Sequence, residues 1–233
     1  MIISRAAEKC GQADYGWLQA RYTFSFGHYF DPQLLGYAAL RVLNQEVLTP
    51  GASFQPRTYP QVDILNIILQ GEAEYRDSEG NHIRAAAGEA LLLAARPNVS
   101  YSEHNISSEQ PLTRLQLWLD ACPSRENSRM QRLTLNAPNC SLLASPEGED
   151  NSLQLRQQAW IYHVELSEGQ QQTIALHGGR AYLQLIHGSL QACGAQDCAA
   201  QLHCGDGAFI QQESCLTLKA ASPLRALVID LAA

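Results

Sequence analysis

The sequence predicts an all-β protein made of two tandem copies of one β-barrel, with an aromatic-rich arm at the N-terminus. Three observations carry this expectation. Residues 62–69, apolar except for Asp63 and Asn66, read as a buried strand, and residues 111–120 alternate, with Leu115, Leu117 and Leu119 on one face and Arg114, Gln116 and Trp118 on the other. Gly71 and Gly88 stand seventeen residues apart, as do Gly188 and Gly205. Pro111-Leu112-Thr113-Arg114 is echoed by Pro223-Leu224-Arg225, and Asp120 by Asp230, so the self-similarity spans both halves of the chain.

In chain order, the arm comes first. Arg21-Tyr22-Thr23-Phe24-Ser25-Phe26-Gly27-His28-Tyr29-Phe30 packs so many aromatics into so few residues that it should seed a compact cluster. Residues 72–76 read as the return partner of the strand at 62–69. Ser78-Glu79-Gly80-Asn81 is the next turn, and residues 90–94 a further strand. After the strand at 111–120, the polar, proline-containing stretch from Cys122 to Asn127 marks a break. The expected division is therefore residues 1–122 as arm and first barrel, 123–150 as a linker, and 151–233 as the second barrel.

The two copies are not expected to be equivalent. The glycine offset, 188 minus 71, is 117, which places Ile174 and Leu176 where the first copy has Arg57 and Tyr59. Apolar residues there imply a filled interior. From Gly88 to Pro111 is 23 residues, but from Gly205 to Pro223 only 18, so the second copy is expected to lack part of the segment that carries Tyr101 and Glu103. Any pocket belongs to the first.

Composition narrows the function classes. With 233 residues, a formal charge of −7, a pI near 5.5 and no Lys/Arg cluster, the chain lacks the basic surface that direct nucleic-acid binding requires. The N-terminus becomes charged before an apolar signal core forms and no run approaches membrane-spanning length, so a cytoplasmic protein without a membrane partner is expected. Seven cysteines, an odd number, do not read as a disulfide framework. Cys193, Cys198, Cys204 and Cys215 match no common zinc spacing and read as thiols.

The motif spacing supplies a family resemblance. Gly51, Arg57-x-Tyr59, Asp63 and Gly71, followed by Gly88 and Tyr101-x-Glu103-x-Asn105, resemble the two cupin motifs. The aromatic block, Leu40-Arg41-Val42-Leu43-Asn44, Asp77-Ser78-Glu79-Gly80-Asn81, Leu117-Trp118 and Ser145-Pro146-Glu147-Gly148 resemble the pirin family, along nearly the whole chain. The resemblance implies a bicupin: two jelly-roll, double-stranded β-helix barrels in tandem. In metal cupins the first motif carries His-x-His and the second another His; those positions fall here on Arg57, Tyr59 and Tyr101, leaving Glu103 as the remaining metal-binding type. At intact positions the resemblance implies a quercetinase-like dioxygenase or an iron-dependent transcriptional cofactor.

A guanidinium stays protonated and has no lone pair for a metal. The expectation is therefore a metal-free bicupin without cofactor or catalytic residue, a small-molecule-binding or stress-sensing protein whose first barrel, lined by Arg57, Tyr59, Tyr101 and Glu103, takes an anionic or phenolic small molecule. Arg57 facing Glu103 would replace the charge of the ion. A purely structural Arg–Glu pair is the bland alternative, and a cupin oxidoreductase of the quercetin 2,3-dioxygenase type the catalytic one. His104 should face away from this group by strand alternation. Cys122, with Arg125 nearby, and Cys10 are the candidate redox-sensitive thiols. The sequence locates no protein partner.

Overall fold

The computed structural model describes residues 1–135, 139–195 and 198–232; the side chains of residues 198 and 199 are also outside the description. The chain is all-β and divides into two compact units. One comprises Gly11–Leu135 and Leu153–Gln157; the other comprises Met1–Cys10, Asn136–Ser152 and Gln158–Ala233. We call them the N-terminal and C-terminal barrels.

The N-terminal barrel pairs two antiparallel sheets. The larger runs in the order Met130–Thr134, Glu89–Ala94, Val62–Gln70, Leu112–Asp120, Leu40–Leu48, Leu18–Tyr22, Gly11–Asp14. The smaller runs Ser53–Thr58, Ser100–Asn105, Glu72–Asp77, His82–Ala86. Val62–Gln70 lies inside the sheet, which explains its largely apolar composition: a strand buried on both faces has no solvent side to mark with alternating polar residues, and its Asp63 and Asn66 are themselves buried. Leu112–Asp120 lies beside it, with Leu117 opposite Leu65 and Gln116 opposite Asn66.

The C-terminal barrel repeats this arrangement. Its smaller sheet runs Gln171–Ala175, Cys215–Ala220, Ser189–Cys193, Cys198–His203, and its larger sheet is centred on Leu224–Leu231 between Arg180–His187 and Ala159–Leu166. The repeated glycines now have a physical reason. Gly71 and Gly188 adopt left-handed φ values of 81° and 83°, and a Cβ on them would lie 2.6 and 2.2 Å from the carbonyl oxygens of Pro111 and Pro223. Glycine and Pro-Leu thus recur together because they meet in each barrel.

Three sequence expectations differ from the structure. The stretch 123–150 contains two strands, Met130–Thr134 and Asn139–Ser145, rather than only a linker. Ile2–Arg5 pairs with Gly207–Gln211, Ile2 opposite Ile210, so the first ten residues complete the C-terminal barrel; edge pairing between chain ends far apart in sequence leaves no local signal. The second copy has also not lost the counterpart of the strand Ser100–Asn105. Cys215–Ala220 takes its place at the same length of six residues, and the shortening falls in the connections.

Candidate functional site

The interior of the N-terminal barrel holds a row of charged and amide side chains among aliphatic ones. Leu112–Asp120 sends Arg114, Gln116 and Trp118 to the interior face, and pairing with Leu40–Leu48 sets Arg114 opposite Glu46 and Gln116 opposite Asn44. From the smaller sheet, Ser100–Asn105 contributes Glu103, opposite Tyr75 on one neighbour and Phe54 on the other. Glu46, Glu103 and Arg114 are buried, with Arg114 fully enclosed.

Arg114 is the hub. Its Nε and Nη2 donate to Glu46 Oε2 at 3.0 and 2.7 Å, and Nη1 donates to Tyr75 Oη at 2.6 Å and to Glu103 Oε2. Glu103 Oε2 also accepts from Gln116 Nε2 at 3.1 Å, while Oε1 accepts from Tyr59 Oη at 2.5 Å. The Tyr59 hydroxyl in turn accepts from Arg57 Nε at 2.8 Å, and Arg57 Nη2 lies 3.6 Å from Glu103 Oε1. Two arginines and two carboxylates make this cluster electrically neutral. Charges buried together in this way offset a desolvation penalty of several kcal/mol per ion.

The ionisation of each group follows from that enclosure. Burial opposes the charge on Glu103, yet Arg114, the Tyr59 hydroxyl and Arg57 together hold its carboxyl below the usual range. Burial likewise opposes the charge on Arg114, but Glu103, Tyr75 and Glu46 raise its pKa well above the ordinary value. Burial, then the charge of Glu103, push the Tyr59 phenol upward, so it keeps its proton.

Arg57, Tyr59 and Glu103 are therefore brought together. Tyr101 is close but oriented differently: its ring centroid is 5.9 Å from that of Tyr59, while its hydroxyl donates to the Ala94 carbonyl at 3.2 Å. A bulge in Ser53–Thr58 sets Tyr101 opposite Arg57 but Glu103 opposite Phe54, so the four side chains do not converge on one point. The principal partner of Glu103 is Arg114 rather than Arg57. The alternation in residues 111–120 puts Arg114 on the right face but gives it no role; its signal is a charge on the same face of that strand as Gln116 and Trp118.

Tyr59, Tyr101 and Glu103 are buried, whereas the Arg57 side chain is 37% exposed. Its guanidinium lies 4.7 Å from the Phe54 ring centroid and 5.1 Å from that of Tyr59, and Trp17, itself partly exposed, meets Phe54 edge-on at 5.0 Å. The accessible part of the site is thus a cation framed by aromatic rings. His104 faces away as expected, its Nε2 2.9 Å from Ser102 Oγ. Among the described residues, no group of three or more His, Cys, Asp or Glu is placed to hold a metal ion.

Of the candidate thiols, Cys122 lies 3.2 Å from Ser124 Oγ, and the hydrogen bonds of Ser124, then the charge of Arg125, lower its pKa. Cys10 donates to the Ala6 carbonyl at 3.7 Å. Cys204 and Cys215 are free, but Cys193 is disulfide-bonded, a correction to its reading as a thiol; the Cys198 side chain lies outside the described residues.

The Pirin family model matches residues 3–119, and the model of the Quercetinase C-terminal cupin domain matches residues 142–231. The chain is 68% identical over 231 residues to Pirin-like protein YhaK of Escherichia coli (strain K12), covering 99% of both. It is 30% identical over 233 residues to Quercetin 2,3-dioxygenase of the same strain, again covering 99% of both. Among solved structures, that of the protein YhaK from Escherichia coli superposes with a TM-score of 0.84 at 68% identity, covering 96% of this chain and 99% of that one. The bacterial pirin YhhW in complex with nickel(II), also from Escherichia coli, superposes with a TM-score of 0.92 at 29% identity, covering 100% of this chain and 99% of that one.

Proposed function

The chain belongs to the pirin family, and from that premise we propose that it is a metal-independent, small-molecule-binding bicupin whose N-terminal barrel presents Arg57 to an anionic or phenolic ligand. One observation carries the reading: each oxygen of Glu103 is already hydrogen-bonded within the protein, Oε1 by Tyr59 and Oε2 by Arg114 and Gln116, while Arg57 stays accessible at the rim. The donor set does not fit a divalent cation. Arg57 offers no lone pair, Tyr59 keeps its proton, and Tyr101 is turned to Ala94. The framed guanidinium instead suits the edge of a carboxylate or phenolate, with Phe54 and Trp17 beside it for an aromatic ring. Tyr59, Tyr101 and Glu103 then act as the support that fixes Arg57.

The test uses quercetin as probe, with calorimetry under nitrogen and metal analysis of the freshly purified protein. Expected are substoichiometric iron, copper, nickel and manganese, saturable binding, and at least about tenfold weaker binding by Arg57→Met, equivalent to about 1.4 kcal/mol. Unchanged affinity in that variant would remove Arg57 from the site.

A second reading, a cupin oxidoreductase, is favoured by the full-length likeness to a relative named Quercetin 2,3-dioxygenase. Oxygen-dependent consumption of quercetin, abolished by a chelator, would establish it in place of binding. A sensing role would use Cys122, whose Ser124 and Arg125 neighbours favour the thiolate, ahead of Cys10. Its check is peptide mass spectrometry after mild peroxide: selective oxidation at Cys122 supports it, and uniform oxidation of the free thiols counts against it. We place the protein in the cytosol, in keeping with the absence, among the described residues, of any helix long and apolar enough to cross a membrane.

A further inference from the structure

The C-terminal barrel carries a second constellation that the ligand reading does not use. Asp230 is fully buried, and its Oδ2 accepts both the backbone N–H of His177 at 2.7 Å and the ring Nδ1–H of the same residue at 2.8 Å. A carboxylate only accepts, so the neutral imidazole carries its proton on Nδ1 and keeps a lone pair at Nε2. Trp160 stacks on the ring with centroids 3.9 Å apart and planes 12° apart, which fixes its orientation. The His177 side chain is nevertheless 47% exposed.

Two further observations separate this dyad from an ordinary surface pair. The other oxygen of the buried carboxylate, Asp230 Oδ1, has no hydrogen-bond partner among the described residues, a cost that a purely structural carboxylate has no reason to retain. In the first copy of the repeat the same register position is held by Trp118, opposite Ile64 as Asp230 is opposite Ala181, so the fold does not require a buried aspartate here. Beside the dyad runs the loop that begins with Ser145-Pro146-Glu147-Gly148. Gly148, Asp150 and Asn151 are all in left-handed backbone conformations, and Ser145 Oγ holds Glu149 and Ser152. Backbone strain of this kind persists where the surroundings impose it. The Glu149 carboxyl, held low first by its Ser145 hydrogen bond, is close enough to couple electrostatically to the His177 ring whenever that ring carries a proton on both nitrogens, and so borders the same site.

The geometry points to His177 as a nucleophile of the C-terminal barrel, acting on activated carboxylic esters of phenols, with Asp230 as its positioning residue and Trp160 as the wall for the aryl ring. Nε2 attacks the acyl carbon, the new C–N bond forms as the C–O bond to the phenol breaks, and the phenolate leaves with the electron pair. Asp230 stabilises the positive charge that the acylated ring then carries. Water adds to the acyl carbon and gives a proton to solvent; the C–N bond breaks, its electron pair returns to Nε2, and the carboxylic acid departs. Trp160 is only partly buried, which leaves indole surface for the aryl group.

The experiment follows 4-nitrophenyl acetate hydrolysis by the full-length protein after its thiols are blocked with iodoacetamide, since cysteines also attack this ester. His177→Gln, an exposed substitution checked by thermal melting, is expected to lose on the order of tenfold or more of the rate above buffer. Ring nitrogen NMR of the wild-type protein is expected to show His177 protonated on Nδ1 with a free Nε2, a readout that does not depend on any variant folding. A His177→Gln rate equal to wild type, or a proton found on Nε2 instead, overturns the assignment.

Discussion

The two barrels share one frame and fill it in opposite ways. In the N-terminal barrel Arg114 faces Glu46 and Ile68 across the larger sheet; in the C-terminal barrel the same register sets Ala226 opposite Val164 and Leu185. Gln116 lies between Asn44 and Asn66, and its counterpart Val228 between Tyr162 and Leu183. Glu103 faces Tyr75, whereas Leu218 faces Ala192. Ile174 and Leu176, at the places of Arg57 and Tyr59, join the apolar core. The fold itself thus needs no charge at these interior positions. A neutral cluster of four ions in the first barrel is a local feature, held together by its own pairing rather than demanded by the frame.

Removing one ion should have the largest effect on the N-terminal barrel. Arg114→Met leaves Glu46 and Glu103 buried with their principal cation gone, and should destabilise the N-terminal barrel by about 3–5 kcal/mol. Converting the cluster toward its counterpart, with Glu46→Val, Glu103→Leu and Arg114→Met together, should recover most of that loss, because well-packed apolar residues replace a buried ion group at little cost. Urea denaturation of both proteins gives the result. A triple variant no more stable than the single one would mean that the cluster is structurally indispensable after all.

Much of this contrast was legible in the sequence. The glycine spacing fixed the offset that identified Ile174 and Leu176 as the partners of Arg57 and Tyr59, and the alternation in residues 111–120 put Arg114, Gln116 and Trp118 on a common face. The hidden part was pairing across distant strands. Glu46 becomes the partner of Arg114 through the register of Leu40–Leu48 with Leu112–Asp120, 68 residues away in sequence, and nothing near Glu46 marks it. The turn of Tyr101 toward Ala94 was equally hidden, because it follows a bulge in a neighbouring strand. His177 was visible only as an isolated histidine; its significance arises from Asp230, which the sequence echo matched to Asp120 whereas the strand register matches it to Trp118, and whose burial nothing in the sequence revealed.

Acid should separate the barrels by pH. His163 in the C-terminal barrel is buried, and its Nε2 accepts from Arg225 Nε at 2.8 Å; burial, then the charge of Arg225, push its pKa down to about 4. The unfolded chain, with a histidine pKa near 6.5, binds the proton first, so stability falls as pH drops from about 6.5 to about 4, by about 3 kcal/mol in all. Glu103 acts in the other barrel and in a lower window. Its folded-state pKa is depressed, so its contribution is complete above about pH 4.3 and is lost as pH falls through its own lower value. His163→Gln should flatten the upper window and leave the lower one; denaturation midpoints across pH that keep the upper slope would remove His163 as its source.

The finest probe is the hydroxyl of Tyr59, which has no equivalent on Leu176. It donates to Glu103 Oε1 and accepts from Arg57 Nε, so Tyr59→Phe deletes a relay between two charges while keeping the ring packed against Trp118, 5.2 Å away. Loss of a hydrogen bond to a buried carboxylate alone would cost about 1.5–3 kcal/mol. Arg57 Nη2 already lies 3.6 Å from that oxygen, however, and a small movement lets it donate directly. The expected loss is therefore smaller, about 1 kcal/mol, accompanied by a less accessible Arg57 and weaker quercetin binding. Full stability loss with unchanged binding would show that Arg57 does not close the gap, and that its exposure is set by Phe54 rather than by the Tyr59 relay.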